Sequence, residues 1–364
     1  MKPRLLQRYI VFEFIPPFAV ALGVCTFLLV LNHILDLMDL FLNRGVGLAL
    51  IFKMLSLILP MFLPLSLPIA ALLAAFLAYG RLSEDGELTA LRSAGLTVFQ
   101  YSWPNLALGL AMSFFLVQFN MNAAPRAARE FRNIHYAVAQ KNPLALFAPK
   151  VMNHFGDYKV IVEKMDRRKR RISGVTVYKM NREGSPTRIL APEGEVSAVP
   201  GGGLVIELAN GAIHQPSADR ESQYTITKFN RFALRVPAEM SDEPKSASVR
   251  EMSVGDLRSG IDESLKKNVS AAPLLTEQNL RIAAGFTPFV FVALGIALGV
   301  KLKKGSRSAG IGMSLVVVAL YYGLLLLSVS LSNQGAAPAV LLTWVPNAAA
   351  LAAGAALWRR LAKQ

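Results

Sequence analysis

Metal or acid–base chemistry would first be sought at the four histidines, at 33, 135, 154 and 214, yet none lies in an HxxxH or HExxH spacing that aims two imidazoles at one ion. Cys25 is the only cysteine, so no disulfide or multi-thiolate site can be built within the chain. No GxxxxGK[ST] loop is present to cradle a nucleotide phosphate, and Gly295 to Lys301 has the wrong spacing. Serines, histidines and aspartates occur without a nucleophile elbow or a paired carboxylate, so the sequence carries no catalytic constellation. What remains is charge placed to make charge-assisted hydrogen bonds with a partner, and it concentrates in two stretches.

The first is Gly80-Arg81-Leu82-Ser83-Glu84-Asp85-Gly86-Glu87-Leu88-Thr89-Ala90-Leu91-Arg92-Ser93-Ala94-Gly95. It predicts one short helix over 81–95. Ser83 is the expected N-cap, Glu84 and Asp85 suit the positive end, Arg92 suits the negative end, and Gly95 can close it in the left-handed conformation. At i, i+3, i+4 spacing Glu84, Glu87, Leu88 and Leu91 share a face, offering an acidic and apolar surface to a partner; the alternative is a solvated connector. The second stretch holds His33, Asp36, Asp39 and Arg44, after 22 uncharged residues. Asn32, Asp36 and Asp39 share a helix face with His33 at its edge. Ionisable groups at that depth either anchor the helix at an interface or face the mouth of a wet cavity.

The elements that position these residues follow from composition. The 364 residues are 53% hydrophobic and 17% charged, with a mean hydropathy of +0.39, which a water-soluble chain does not show. Uncharged runs fill 14–35, 54–80, 93–125, 282–300 and 308–358. A span needs about 20 apolar residues, so the last run holds two helices, divided near Ser332 to Gly335 and Pro338; six spans result. The first run is too long for a signal peptide and lacks a small-residue cleavage motif, so the N-terminus is expected to stay attached.

With the N-terminus placed inside, the short inner segments hold twelve Lys and Arg, whereas the short outer loops hold Arg44 and Lys53. Segment 121–281 carries 25 of the 39 basic and 18 of the 24 acidic residues and is assigned outside. The net charge of +15 therefore divides between the membrane part and an outer domain, which argues against nucleic acid as a partner. Residues 4–14 read as an amphipathic start before Pro16-Pro17, and Pro60, Pro64 and Pro68 predict a bent, locally opened second span. Gly295 and Gly299 form a small-xxx-small packing pair.

Between the third and fourth spans, 158–163, 174–178, 203–208 and 223–229 are short, β-rich and bounded by turns, which predicts an all-β domain. Asn210-Gly211 reads as a hairpin between two strands, and Arg167 to Arg171 as a polar turn. Alternation turns Val160 and Val162, Val175 and Val177, and Leu204, Ile206 and Leu208 to one inward face, either the lining of an apolar groove or an ordinary packed core.

Two motifs carry a family resemblance. Leu63-Pro64-Leu65-Ser66-Leu67-Pro68 followed by Tyr79 to Gly95, and Ala293 to Val300 followed by Gly305-Ser306-Arg307-Ser308, Tyr321-Tyr322-Gly323 and Trp344-Val345-Pro346-Asn347, resemble the lipopolysaccharide export permeases of the LptF/LptG (YjgP/YjgQ) family. The resemblance implies an inner-membrane half-transporter with cytoplasmic termini. Helices 1–3 would lie in 1–125, a periplasmic domain with a β-jellyroll core in 126–275, and helices 4–6 in 276–364. It implies a homologous permease partner and two copies of a cytoplasmic ABC ATPase, which would bind the ATP and Mg that this chain does not. Lipopolysaccharide would enter a cavity between the two permeases, formed largely by their first and fifth helices, and pass to a membrane-anchored periplasmic β-jellyroll protein. Glu84, Glu87, Leu88, Leu91 and Arg92 would form the ATPase-coupling helix, with Glu87 at the family's acidic position. Asn32, His33 and Asp36, with the seven apolar β residues, would lie on the lipid path; His33 and Asp36 stand where some members carry basic residues. The rival readings are a permease for another envelope lipid or lipoprotein, and a static scaffold for envelope assembly.

Overall fold

In the computed structural model, the described residues are 3–42, 47–141, 147, 150–155, 157–166, 171–179, 187–198, 204–216, 224–236, 249–301 and 307–362. Their order is α1 (Pro3–Leu42), α2 (Leu48–Glu84), α3 (Glu87–Ser93), α4 (Val98–Lys141), β1 (Met152–Phe155), β2 (Tyr158–Asp166), β3 (Arg171–Lys179), β4 (Thr187–Ala198), β5 (Leu204–Pro216), β6 (Tyr224–Val236), a 3-10 turn (Val249–Glu251), α5 (Val254–Lys266), α6 (Ala272–Val300), α7 (Arg307–Asn333) and α8 (Ala339–Ala362). Among the described residues, six helices are long and apolar enough to cross a membrane: α1, α2, α4, α6, α7 and α8. The last apolar run divides between Asn333 and Ala339, at a turn where Gly335 takes a φ of 72°.

The chain forms two compact units, residues 1–34, 56–129 and 248–364, and residues 35–55 and 130–247. In the helical unit α6 is the most enclosed span, 67% of its apolar window being buried, against 17% for α1 and for α7. Small residues permit that enclosure. A Cβ at Gly295 or Gly299 would lie 2.7 Å from the carbonyl oxygen of Leu72 or Phe76, so α2 approaches α6 at the backbone itself. Prolines do not end these helices: α1 runs through Pro16-Pro17 and α2 through Pro60, Pro64 and Pro68. Beside Pro288 of α6, the Ser113 hydroxyl of α4 accepts the Phe289 N–H at 2.9 Å and donates to the Phe286 carbonyl at 3.3 Å. A buried polar chain joins three spans: the Thr287 and Tyr321 hydroxyls are 2.7 Å apart, Tyr321 donates to Asn347 Oδ1, and Asn347 donates to the Ala283 carbonyl. Helix α5, expected within the periplasmic segment, belongs to this helical unit, with the Ser253–Asp256 capping box at its start.

The other unit holds the ends of α1, α2 and α4 and a sheet of six antiparallel strands in the order β1-β2-β3-β4-β5-β6, and is called the β unit below. This sequential meander contains no crossover among the described strands, unlike the Greek keys of a jelly roll. A coordinated crease gives it two leaves instead. In β2 the inward residues are Val160 and Val162, then Met165; in β3, Ile172, then Val175 and Val177; in β4, Ile189 and Ala191, then Gly194 and Val196; in β5, Leu204, Ile206 and Leu208, then Gly211 and Ile213; in β6, Phe229, then Phe232 and Leu234. Every series changes phase by one residue, and the changes fall in register. The ladder skips the successive positions Glu163, Gly174, Pro192, Asn210 and Asn230. Gly174 and Asn210 have φ of 65° and 52°, and Pro192 lacks an N–H. Because both leaves contribute their inward side chains to one buried cluster with members from all six strands, the sheet bends around it along this row.

The crease corrects two expectations. Asn210-Gly211 does not turn a hairpin; it lies inside β5, a strand flanked by β4 and β6, and a Cβ at Gly211 would overlap the Phe229 ring and the Leu190 carbonyl oxygen. Strands read from alternation stop short at the crease, where the period of two resets: β3 starts at Arg171 and β5 runs on to Pro216. Strand β4 was not anticipated at all, since Pro192 and Gly194 interrupt its pattern.

Candidate functional site

The segment expected to be one helix is two. The apolar face of α2 continues through Tyr79 and Leu82, both buried, and carries the helix to Glu84; the Asp85 and Gly86 N–H groups then bond back to the Arg81 and Ser83 carbonyls. Ser83 is therefore not an N-cap, and its hydroxyl donates to the Val300 carbonyl at the end of α6. Helix α3 starts after Gly86, whose φ of 80° turns the chain, with no side-chain cap. Its other end follows the sequence reading: Gly95 has a φ of 83°, its N–H bonds to Arg92, and the Leu96 N–H bonds to Leu91, with Leu91 and Leu96 packed on the same core.

The break separates Glu84, at the end of α2, from Glu87 at the start of α3, so the expected four-residue face does not form. Leu88 is 3% exposed and Leu91 packs against the same cluster, so the apolar side of α3 is spent on this chain's own core rather than left for a partner. That core is shared with the beginning of α1: Ile10 and Phe14 are buried with Ala75, Tyr79, Leu82, Leu88 and Tyr101. Polar contacts reinforce the junction. The Tyr9 hydroxyl donates to Glu87 at 3.0 Å, and Arg81 pairs with Glu13 at 2.7 Å and, more distantly, with Asp85 at 3.6 Å. Asn105 of α4 donates to the Ile10 carbonyl and the Tyr79 hydroxyl. Arg92 lies against Tyr101. A cavity of about 340 Å³ opens beside the junction, lined by Glu13, Pro16 and Pro17 from α1 and by Phe76, Gly80 and Arg81 among others from α2.

Towards the far end of α1, Asn32 is exposed, while the His33 ring is half-buried and meets Phe62 of α2 edge-on, with centroids 5.0 Å apart. The side chains of Asp36 and Asp39, and Arg44 entirely, lie outside the described residues. In the β unit, Val160, Val162, Val175, Val177, Leu204, Ile206 and Leu208 are each at most 1% exposed. They form a filled core.

A family model described as the lipopolysaccharide export system permease LptF/LptG matches residues 8–360. The chain belongs to the LptF/LptG family. The match spans both membrane halves and the β unit between them, and it identifies a transport component rather than an enzyme. No individual curated protein matches the chain.

In this LptF/LptG-family chain, sequence reasoning passed over four charged or polar residues that the fold uses. Glu13 opens the first uncharged run and Arg81 closes the second; a charge at each end of the same depth was the available signal for their pairing. Tyr9 gave no signal beyond membership of the amphipathic start. Arg281, which precedes the fourth run, is 5% exposed; it pairs with Glu277 at 2.9 Å and donates to the Val249, Arg250 and Met252 carbonyls, tying the 3-10 turn to α6.

Proposed function

We propose that this chain is one permease subunit of an ABC transporter that extracts lipopolysaccharide from the inner membrane and passes it towards the outer membrane. The family match over 8–360 carries this reading. The β unit, inserted between the third and fourth spans, faces the periplasm, a reading supported by the positive-inside asymmetry of the short loops. ATP and Mg belong to two copies of a cytoplasmic ABC ATPase that docks at the α2–α3 junction, through Glu84 at the end of α2 and Glu87 and Arg92 of α3. A homologous permease packs on α1 and α7, whose low burial within this chain leaves their apolar faces for a partner and for lipid. Lipid enters between these helices near Asn32, His33 and Asp36. Its acyl chains then pass between the two leaves of the β unit, which must part because their facing residues are closed, and reach a membrane-anchored periplasmic β-jellyroll protein.

Purification of the tagged chain from its native membrane, followed by subunit identification and lipid mass spectrometry, tests the reading. An ABC ATPase and lipopolysaccharide are expected in the same complex. Another envelope lipid in place of lipopolysaccharide defeats the substrate assignment, and a complex without an ATPase defeats the transporter.

A further inference from the structure

The geometry points to Tyr9 and Glu13 as positioning residues that bind the first turns of α1 to the junction of α2 with the coupling helix α3, Tyr9 through α3 and Glu13 through the last turn of α2, with Pro16-Pro17 as the pivot through which motion of that junction reaches the rest of α1. This inference rests on the proposed transporter function and adds the route by which motion leaves the coupling helix.

Four observations converge on it. First, the two polar contacts bracket the junction, Tyr9 to Glu87 on α3 itself and Glu13 to Arg81 one turn before α3. The Glu13 carboxylate is 17% exposed, so it is removed from most competing water and its attraction to Arg81 is only partly screened. Second, Ile10 and Phe14 share a buried core with Leu82 and Leu88, so the start of α1 and the coupling helix cannot move apart without opening that core. Third, helix support fails immediately beyond the tether: Pro16 and Pro17 have no N–H to give to the Phe12 and Glu13 carbonyls, two consecutive losses in the ladder of α1. Fourth, space lies beside that weak point. The cavity of about 340 Å³ is lined by Pro16 and Pro17 on one wall and by Phe76, Leu77, Ala78 and Gly80 on the other. Beyond the pivot, Val20, Val24, Phe27, Leu28 and Leu31 are exposed, and the contacts that a swing of the outer part must slide lie along one face only, at Ala21, Val30 and the His33–Phe62 pair. A tethered lever, a pivot and a cavity beside it in sequence transmit a rotation of α3 to α1.

The test uses the complete permease–ATPase complex in lipid vesicles, scoring lipid released per ATP hydrolysed. Glu13→Arg and Arg81→Glu are each expected to lower that ratio about tenfold, the effect of one lost charge-assisted hydrogen bond, and the double exchange to restore it. In a Cys25→Ser background, spin labels at Phe12→Cys and Ala90→Cys should hold one separation with and without a non-hydrolysable ATP analogue, while labels at Phe27→Cys and Ala90→Cys should change theirs. Undiminished release per ATP in the single variants overturns the inference, as does a double exchange no better than either single variant, or a pair of label distances that shift together. Failure of the unaltered complex to couple ATP hydrolysis to lipid release counts instead against the transporter reading.

Discussion

Phe27, Leu28, Leu320 and Leu326 of the helical unit are all more than half exposed, whereas Val160, Val177, Leu204 and Ile206 of the β unit are entirely buried. Polar groups are arranged in the opposite sense. Ser113, Asn105, Thr287 and Asn347 are sealed inside the helical unit and bonded to one another or to backbone, while Glu163, Arg188, Glu193 and Lys228 stand on the outer face of the sheet. The same amino-acid types are thus read against two solvents. Against hydrocarbon, apolar side chains gain little by hiding and polar ones must find partners within the protein; against water the gain from apolar burial returns. Breakers behave differently too. A proline in α2 perturbs its own helix only, but Gly174, Pro192 and Asn210 act together because strand register places them in one row.

The contrast is broken most sharply by removing equal volume from each unit. Ile206→Ala is expected to cost about 2–5 kcal/mol through its cavity, measured by denaturant-dependent proteolysis of the strands, whereas Leu326→Ala should stay within about 0.5 kcal/mol. Equal effects would abolish the distinction between the two solvents. Gly211→Ala probes the crease: overlap with Phe229 and the Leu190 carbonyl should cost about 1–3 kcal/mol, with partial recovery in Gly211→Ala/Phe229→Ala as only the ring gives way. Full stability in the single variant would show that the row of skipped pairs does not fix the fold. In the helical unit, Asn347→Leu removes the end of the Thr287–Tyr321–Asn347 chain and should cost about 1 kcal/mol in a steric-trap or detergent-unfolding measurement.

The smallest effect is a pH dependence at α5. The hydrogen bond from Arg129, followed by those from the Ser253 backbone and hydroxyl, holds the Asp256 carboxyl below the usual carboxylate range. Because the folded value is depressed, the stabilisation is complete above the unfolded pKa of about 3.9 and is lost as pH falls through the lower folded value. Amide exchange in the first turn of α5 should therefore accelerate only in that acid window, and Asp256→Asn should remove the dependence while keeping an acceptor for the cap.

Of the candidate site, the left-handed close at Gly95 and the membership of Glu87 in a helix were legible, because both depend on residues within one turn of each other. The division of α2 from α3 was not. Ser83 is as good an N-cap by type as any residue in the segment, but buried Tyr79 and Leu82 hold α2 together past it and the Val300 carbonyl takes its hydroxyl. The β strands show the same limit: the inward faces were read correctly up to the crease, and alternation carries no information about where a neighbouring strand forces the phase to reset.

By itself the sequence determined the number of the apolar spans, the β character of the segment between them and the inward faces on one side of the crease, because each is a local periodicity or an uncharged run that needs no knowledge of what lies across from it. Tertiary structure alone decided which helix lies at the centre, where five strands change phase together, and that Glu13 meets Arg81 and Tyr9 meets Glu87. These depend on pairings between residues tens of positions apart, and the free energy that selects them comes from packing and register, which no window of the chain contains.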